Sequence, residues 1–210
     1  MQRTSDPDIT GAGSTSDGLR SAVDDNRDPN YDVDPLLVNR WSPRTMTGEQ
    51  LAEDELLALF EAARWAPSSY NNQHWRFVYA TPDDDRWEAF TELLAEGNRQ
   101  WANDAAALVV VLSKTTFDHN GEHAPTHSFD TGAAWENLAL EGARRGLVVH
   151  GMQGFDYDGA RDLFSLTDEY AVEAMAAVGV HDETGAPDDE QPNQRKPLDE
   201  IVFAGEFTPS

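Results

Sequence analysis

Seven consecutive apolar residues, Ala106 to Leu112, constrain this chain more than any other feature. The run is far shorter than the roughly 20 apolar residues that cross a bilayer. Its valines and leucines read as a strand buried on both faces, central in its sheet. Such a strand has no polar side to offer water, so the remaining elements must cover it.

The elements around it interleave. Glu53 to Trp65 is expected as a helix: Leu56, Leu59, Phe60 and Ala63 recur at helical spacing, acids crowd the first turn and Pro67 ends it. Trp75 to Tyr79 reads as a strand. A second helix is expected with Trp87, Phe90 and Leu94 on one face and Gly97 near its end. A third is expected from Asp130 to Arg145, capped by Asp130 and closed by Gly146. Its Gly132, Ala133, Ala134, Ala139, Gly142 and Ala143 are small, which suits a tight core or a subunit interface. Leu147-Val148-Val149 leads into a glycine-bounded loop, Gly151 to Gly154, followed by a short helix, Tyr157 to Phe164. Ala171 to Val180 is strand-like, its β part placed in Ala176–Val180. Pro35 to Val38 is a short apolar run, and Ile201-Val202-Phe203 a final short strand. The pattern predicts an α+β layered domain.

Charge narrows the function. Thirty-nine acidic residues oppose fifteen basic ones, a formal net charge of −24, which repels nucleic-acid phosphates and anionic membranes alike. No cysteine is present, so disulfides, thiolate nucleophiles and Cys-held metals are excluded. Neither a signal peptide nor a membrane span is read, and a cytoplasmic location is expected. Only two of the basic residues are lysines, Lys114 and Lys196, a texture that suits a surface hydrated in concentrated salt. At molar ionic strength the screening length is about 3 Å, so self-repulsion is suppressed. Residues 1–33 are acidic and poor in large aliphatics, and are expected as a disordered tail before a domain over 34–210. The Gly11-Ala12-Gly13 cluster lacks the flanking strand and helix of a dinucleotide loop.

Three polar segments at element ends are candidates for chemistry. In Arg40-Trp41-Ser42-Pro43-Arg44, two arginines flank a serine, a set suited to a phosphate. Ala66 to Trp75 contains Ser68, Ser69, Asn71, Asn72 and Gln73, whose amides can read the polar edge of a heterocycle. Gly151-Met152-Gln153-Gly154 lets backbone approach a planar ring. Each alone is also compatible with ordinary surface or turn chemistry.

In this order the segments resemble the FMN-dependent nitroreductase family. Arg40, Ser42 and Arg44 match its Arg-x-Ser-x-Arg/Lys element. Ala66 to Trp75 matches its Ala-Pro-Ser-Ser-x-Asn-x-Gln-Pro-Trp element, with His74 where proline is usual. The small-residue helix, the glycine loop, and Arg195-Lys196-Pro197-Leu198 before Glu200-Ile201-Val202 complete the resemblance, over about residues 34 to 206. It implies a nitroreductase-like α+β fold: a mostly antiparallel central sheet flanked by helices, with a C-terminal strand exchanged in a homodimer.

The resemblance also implies roles. Arg40 and Ser42 would bind the flavin phosphate and ribityl end or the pyrimidine edge, with Arg44 beside them. Asn71 and Gln73 would lie along the isoalloxazine with Ser69 nearby, from this subunit or its partner. The backbone of Gln153 and Gly154 would face flavin N5, and Arg195 would reach the phosphate. Asn193 stands where a second basic residue is common, which leaves Lys196 as its substitute or the phosphate less neutralised. The implied activity passes a hydride from NADH or NADPH through FMN to a small electron-poor acceptor, a nitro compound or quinone, in ping-pong order, with no catalytic side chain. An FMN enzyme with a specialised substrate, and a flavin-binding module without turnover, remain as alternatives.

His119, His123 and His127 recur every four residues, but Gly121 and Pro125 break the helix that would make them metal ligands. No metal is expected; the segment reads as a flexible cover near the flavin.

Overall fold

A computed structural model of the chain describes residues 18–207, and the Gly11–Gly13 cluster lies outside them. A four-stranded antiparallel sheet in the order β1-β2-β4-β3 forms the middle layer. β1 is Trp75–Ala80, β2 Ala107–Lys114, β3 Leu147–Met152 and β4 Tyr170–Val180. The expected central strand is β2, held between β1 (Val78 opposite Val110) and β4 (Val110 opposite Met175).

Alternation along β2 explains its composition. Ala107, Val109 and Val111 join a core with Leu56, Leu59, Ala63, Ala134 and Leu138. Those partners come from α3 (Glu53–Arg64) and α6 (His127–Arg144). Leu108, Val110 and Leu112 face the other way, among Phe90, Leu93, Ala102 and Ala160. That second layer is α4 (Trp87–Leu93), α5 (Glu96–Ala102) and α7 (Tyr157–Leu163). A strand covered by helices on both sides has no use for polar residues.

The small residues of α6 have a visible use in the core. A Cβ on Gly142 would lie 2.6 Å from Cγ2 of Val149, so the helix sits against β3 at a distance only glycine permits. Gly146 closes this helix with φ +78, the left-handed conformation that a glycine terminator supplies.

Several expectations are corrected. α6 starts at His127 rather than Asp130, and Asp130 caps nothing in its own helix. The expected second helix is two, because Leu94 is extended (ψ 136) between α4 and α5, so Gly97 falls in the first turn of α5. β3 continues through Gly151 and Met152, and β4 begins at Tyr170, so hydrogen bonding extends both strands past their apolar cores. Pro35–Asn39 is a short helix, α2, capped by the Asp34 carboxylate on the Leu36 N–H at 2.8 Å. Ile201–Phe203 forms no strand within this single chain; it follows a 3-10 turn, Leu198–Glu200, and pairs with no strand among the described residues.

Residues 18–33, part of the stretch expected as a tail, carry describable structure. Ser21–Asp24 is a helical turn, α1, whose Val23 is buried. Asn39 holds this segment, accepting the Arg20 N–H at 2.8 Å and donating to the Gly18 carbonyl at 3.1 Å. Low average hydrophobicity concealed two residues, Val23 and Arg27, that are individually buried.

Candidate functional site

α2 ends at Arg40, which leaves the helix with extended backbone (φ −67, ψ 120) and starts the Trp41-Ser42-Pro43-Arg44 segment. Arg40 donates from Nη1 to the Ser42 hydroxyl at 3.3 Å, and its Nε lies 3.8 Å from a Glu136 carboxylate oxygen. Arg40, Ser42 and Arg44 line a cleft of about 660 Å³ together with Arg27, His150 and Arg195. Residues separated by some 155 positions therefore meet in one place, and four of them are arginines.

Two groups shape this cleft. Glu190, at the end of the acid-rich segment from Asp182 to Glu190, accepts the Arg44 N–H at 2.6 Å and the Thr45 N–H at 3.3 Å. Burial works against its ionisation, but these donors and nearby His181 outweigh it and hold the carboxyl below its ordinary range. His150 donates from Nδ1 to the Pro43 carbonyl at 2.9 Å, and its ring lies 4.5 Å from that of Trp101. A carbonyl only accepts, so Nδ1 carries the proton. Burial is the main influence on His150 and lowers its pKa despite that bond.

Sequence reasoning missed Arg27. Its guanidinium reaches the carbonyls of Val38, Arg40 and Asn193, and only 7% of the residue is exposed. Burial first, then the like charges of Arg195 and Arg40, lower its pKa to about 10. Its only signal was an arginine in an acidic stretch. Lys196, expected near the phosphate, lines an adjoining apolar groove that Arg27 and Arg195 also border, and lies 4.0 Å from Glu200.

The other predicted residues form separate stations. Ser69–Asn71 is one 3-10 turn, in which Tyr70 and Asn71 have positive φ; Gln73 follows at φ 52. Three side-chain-bearing residues in the left-handed region need support. It comes from Asp130, whose carboxylate accepts the Ser69 N–H at 2.9 Å, and from Ser68, whose hydroxyl accepts the Gln73 N–H at 2.9 Å. Gln73 also donates from Nε2 to the Asn71 carbonyl at 3.0 Å. His74, in place of proline, is fully buried, with Nδ1 2.7 Å from the Lys114 carbonyl and Nε2 3.9 Å from Asp130. The Gly154 carbonyl accepts the Ala95 N–H and the Asn98 side chain, each at 2.9 Å. A Cβ there would meet the amide nitrogen of the Asn98 side chain at 2.9 Å, and the preceding Gln153 is exposed. Neither station lines the arginine cleft.

The three histidines have separate surroundings. His127 Nδ1 lies 2.7 Å from the Ser113 hydroxyl and 3.3 Å from Glu173, a residue bulged from β4. The His123 ring faces it at 5.7 Å, while His119 packs on Tyr70 and Phe117. Among the described residues no group of side chains is arranged to hold a metal ion. No described helix is long and apolar enough to cross a membrane.

Helices on both faces of an antiparallel sheet, with an arginine-lined cleft where the chain leaves α2, define an α+β protein with positive charge gathered in one place. The nitroreductase family model matches residues 37–180, and the chain belongs to that family. A crystal structure described as an oxidoreductase containing FMN is 43% identical, with a TM-score of 0.82, covering 88% of this chain and 97% of its own. A 15.4 kDa protein from the ask 5' region of Mycolicibacterium smegmatis is 32% identical over 59% of this chain and 86% of its own length. A Streptomyces coelicolor protein bearing the name NADH dehydrogenase/NAD(P)H nitroreductase is 26% identical, over 70% of this chain and 83% of its own length.

Proposed function

We infer that the chain is an FMN-dependent NAD(P)H oxidoreductase whose arginine cleft holds the flavin phosphate. One observation carries the reading: in a chain of net charge −24, Arg40, Arg44 and Arg195 meet in a single cleft with the Ser42 hydroxyl. A phosphomonoester is the ligand that such a reversal of sign suits, because guanidinium forks and a hydroxyl match its oxygens. The cleft volume falls in the range of cofactor sites. Family membership and the FMN of the 43% identical structure point the same way.

FMN, when bound, supplies two-electron transfer through N5 from NADH or NADPH to an electron-poor acceptor such as a nitro compound or quinone, in ping-pong order. The chain binds and orients. Arg40, Ser42, Arg44 and Arg195 take the phosphate, and the Glu190 bonds keep the Arg44–Thr45 backbone in place. Asn71 and Gln73, with Ser69 beside them, offer amides to the ring, and the Gln153–Gly154 backbone lies toward N5. Because those stations stand apart from the cleft within one chain, a second copy completes the site, and the working form is a homodimer. The exposed apolar Ile201, Val202 and Phe203 support this, as a segment that pairs only with a partner sheet. No side chain is assigned as acid, base or nucleophile.

Purified protein should show the visible flavin spectrum or gain it on adding FMN, and anaerobic NADH or NADPH should bleach it. Arg40→Ala or Arg195→Ala should weaken FMN retention about tenfold or more, the scale of a lost charge-assisted bond. Arg86→Ala, whose side chain hydrogen-bonds only the Leu163 carbonyl among the described residues, should leave it unchanged. A protein that takes up no flavin, or equal retention by all three variants, overturns the reading.

A further inference from the structure

Arg27 joins three backbone carbonyls on two chain segments through one guanidinium. Its Nε donates to the Asn193 carbonyl at 3.0 Å, and its Nη1 to the carbonyls of Arg40 at 2.8 Å and Val38 at 2.5 Å. Val38 and Arg40 belong to the end of α2, from which the first arginine element departs. Asn193 lies two residues before Arg195, in the segment that brings the last arginine. The side chain thus sets the separation between Arg40 and Arg195, two residues that share no hydrogen bond with each other among the described residues. A lysine could not do this, since one ammonium cannot match a fixed fork aimed at carbonyls on two chain segments.

The same guanidinium lines the cleft, and its Nη2 has no acceptor among the described residues. Burial and then the like charges of Arg195 and Arg40 lower the Arg27 pKa, so one buried guanidinium faces two further cations at an open cleft. Crowding of this kind costs stability in the empty protein and is relieved by a doubly charged anion. Lys196, the expected source of extra charge, does not line the cleft; it lines an adjoining groove that Arg27 and Arg195 border as well.

We propose that Arg27 is a positioning residue of a phosphomonoester site, holding Arg40 and the Asn193–Arg195 segment at a set spacing and adding a fourth positive charge to those of Arg40, Arg44 and Arg195. The proposal rests on the reading that this cleft takes the FMN phosphate. It places in the cofactor site a residue from the N-terminal stretch that composition assigned to a tail.

The test compares binding of FMN and riboflavin, the same ring without the phosphate, to flavin-free full-length protein by flavin fluorescence. The unsubstituted protein should prefer FMN. Arg27→Gln should lose FMN affinity about tenfold or more with riboflavin affinity unchanged, and Arg27→Lys, which keeps the charge without the fork, should fall between them. Loss of both flavins in parallel would mean that Arg27 only supports the fold and would overturn the proposal. An unaltered preference for FMN in Arg27→Gln would overturn it as well. If Arg27→Gln does not fold, Arg27→Lys decides alone: a reduced preference supports the role, an unchanged one overturns it. Equal affinity of the unsubstituted protein for the two flavins would instead remove the phosphate reading, and this role with it.

Discussion

The carboxylate of Asp130 lies 2.9 Å from the backbone nitrogen of Ser69, sixty-one positions earlier in the chain. Asp130 stands within the first turn of α6, yet the N–H it satisfies belongs to the turn after α3. One buried side chain therefore fixes a loop with three non-glycine residues at positive φ. Asp130→Ala should leave the Ser69 N–H without its partner and cost about 1–3 kcal/mol. Urea denaturation checks this, and an unchanged midpoint would show that water replaces the carboxylate.

Two glycines of α6 should respond oppositely to alanine. At Gly142 the new methyl would meet Val149 at 2.6 Å, and Gly142→Ala should lose about 1–3 kcal/mol through overpacking. At Gly132 nothing lies within 4 Å, and Gly132→Ala should gain up to about 1 kcal/mol from helix propensity. Equal melting shifts in the two variants would contradict the packing of α6 on β3.

Acid should weaken the cleft in two stages. Burial lowers the pKa of His150, so as pH falls below about 6.5 the unfolded chain binds a proton there before the folded one. Stability is then lost, and His150→Gln should flatten this part of the profile. The Glu190 carboxyl is held low by its donors, so its contribution is present above the unfolded carboxylate value, about 4.3, and disappears as pH falls through the lower folded value. Melting temperature against pH for the protein, His150→Gln and Glu190→Gln separates the two; identical profiles would refute both assignments.

Salt should stabilise the whole molecule. With a net charge of −24, repulsion extends over about 10 Å in dilute buffer and is reduced to about 3 Å near molar ionic strength. The melting temperature should rise by several degrees between about 0.1 M and about 1 M potassium chloride. A flat response would remove the inference of a salt-adapted surface.

Local pattern carried much of the architecture. The apolar run at β2, the 3.6-residue spacing of α3 and the small-residue face of α6 are properties of neighbouring residues, and neighbouring residues decide helix or strand and which faces seek cover. The basic, amide and glycine segments were also legible, since each collects its own kind of side chain at an element end. Their distribution was not. That Arg40, Ser42, Arg44 and Arg195 share a cleft while Asn71, Gln73 and Gly154 lie elsewhere depends on how helices stack on the sheet. The same holds for Arg27 and Asp130. Arg27 sits in a stretch too polar to bury as a whole, yet its guanidinium is buried because three distant carbonyls need donors. Asp130 has a capping residue's chemistry, but packing moved the helix start and turned its carboxylate to another chain segment. Periodicity along a chain encodes elements; the hydrogen-bond demand of buried groups, met only after the elements pack, decides which distant residues become partners.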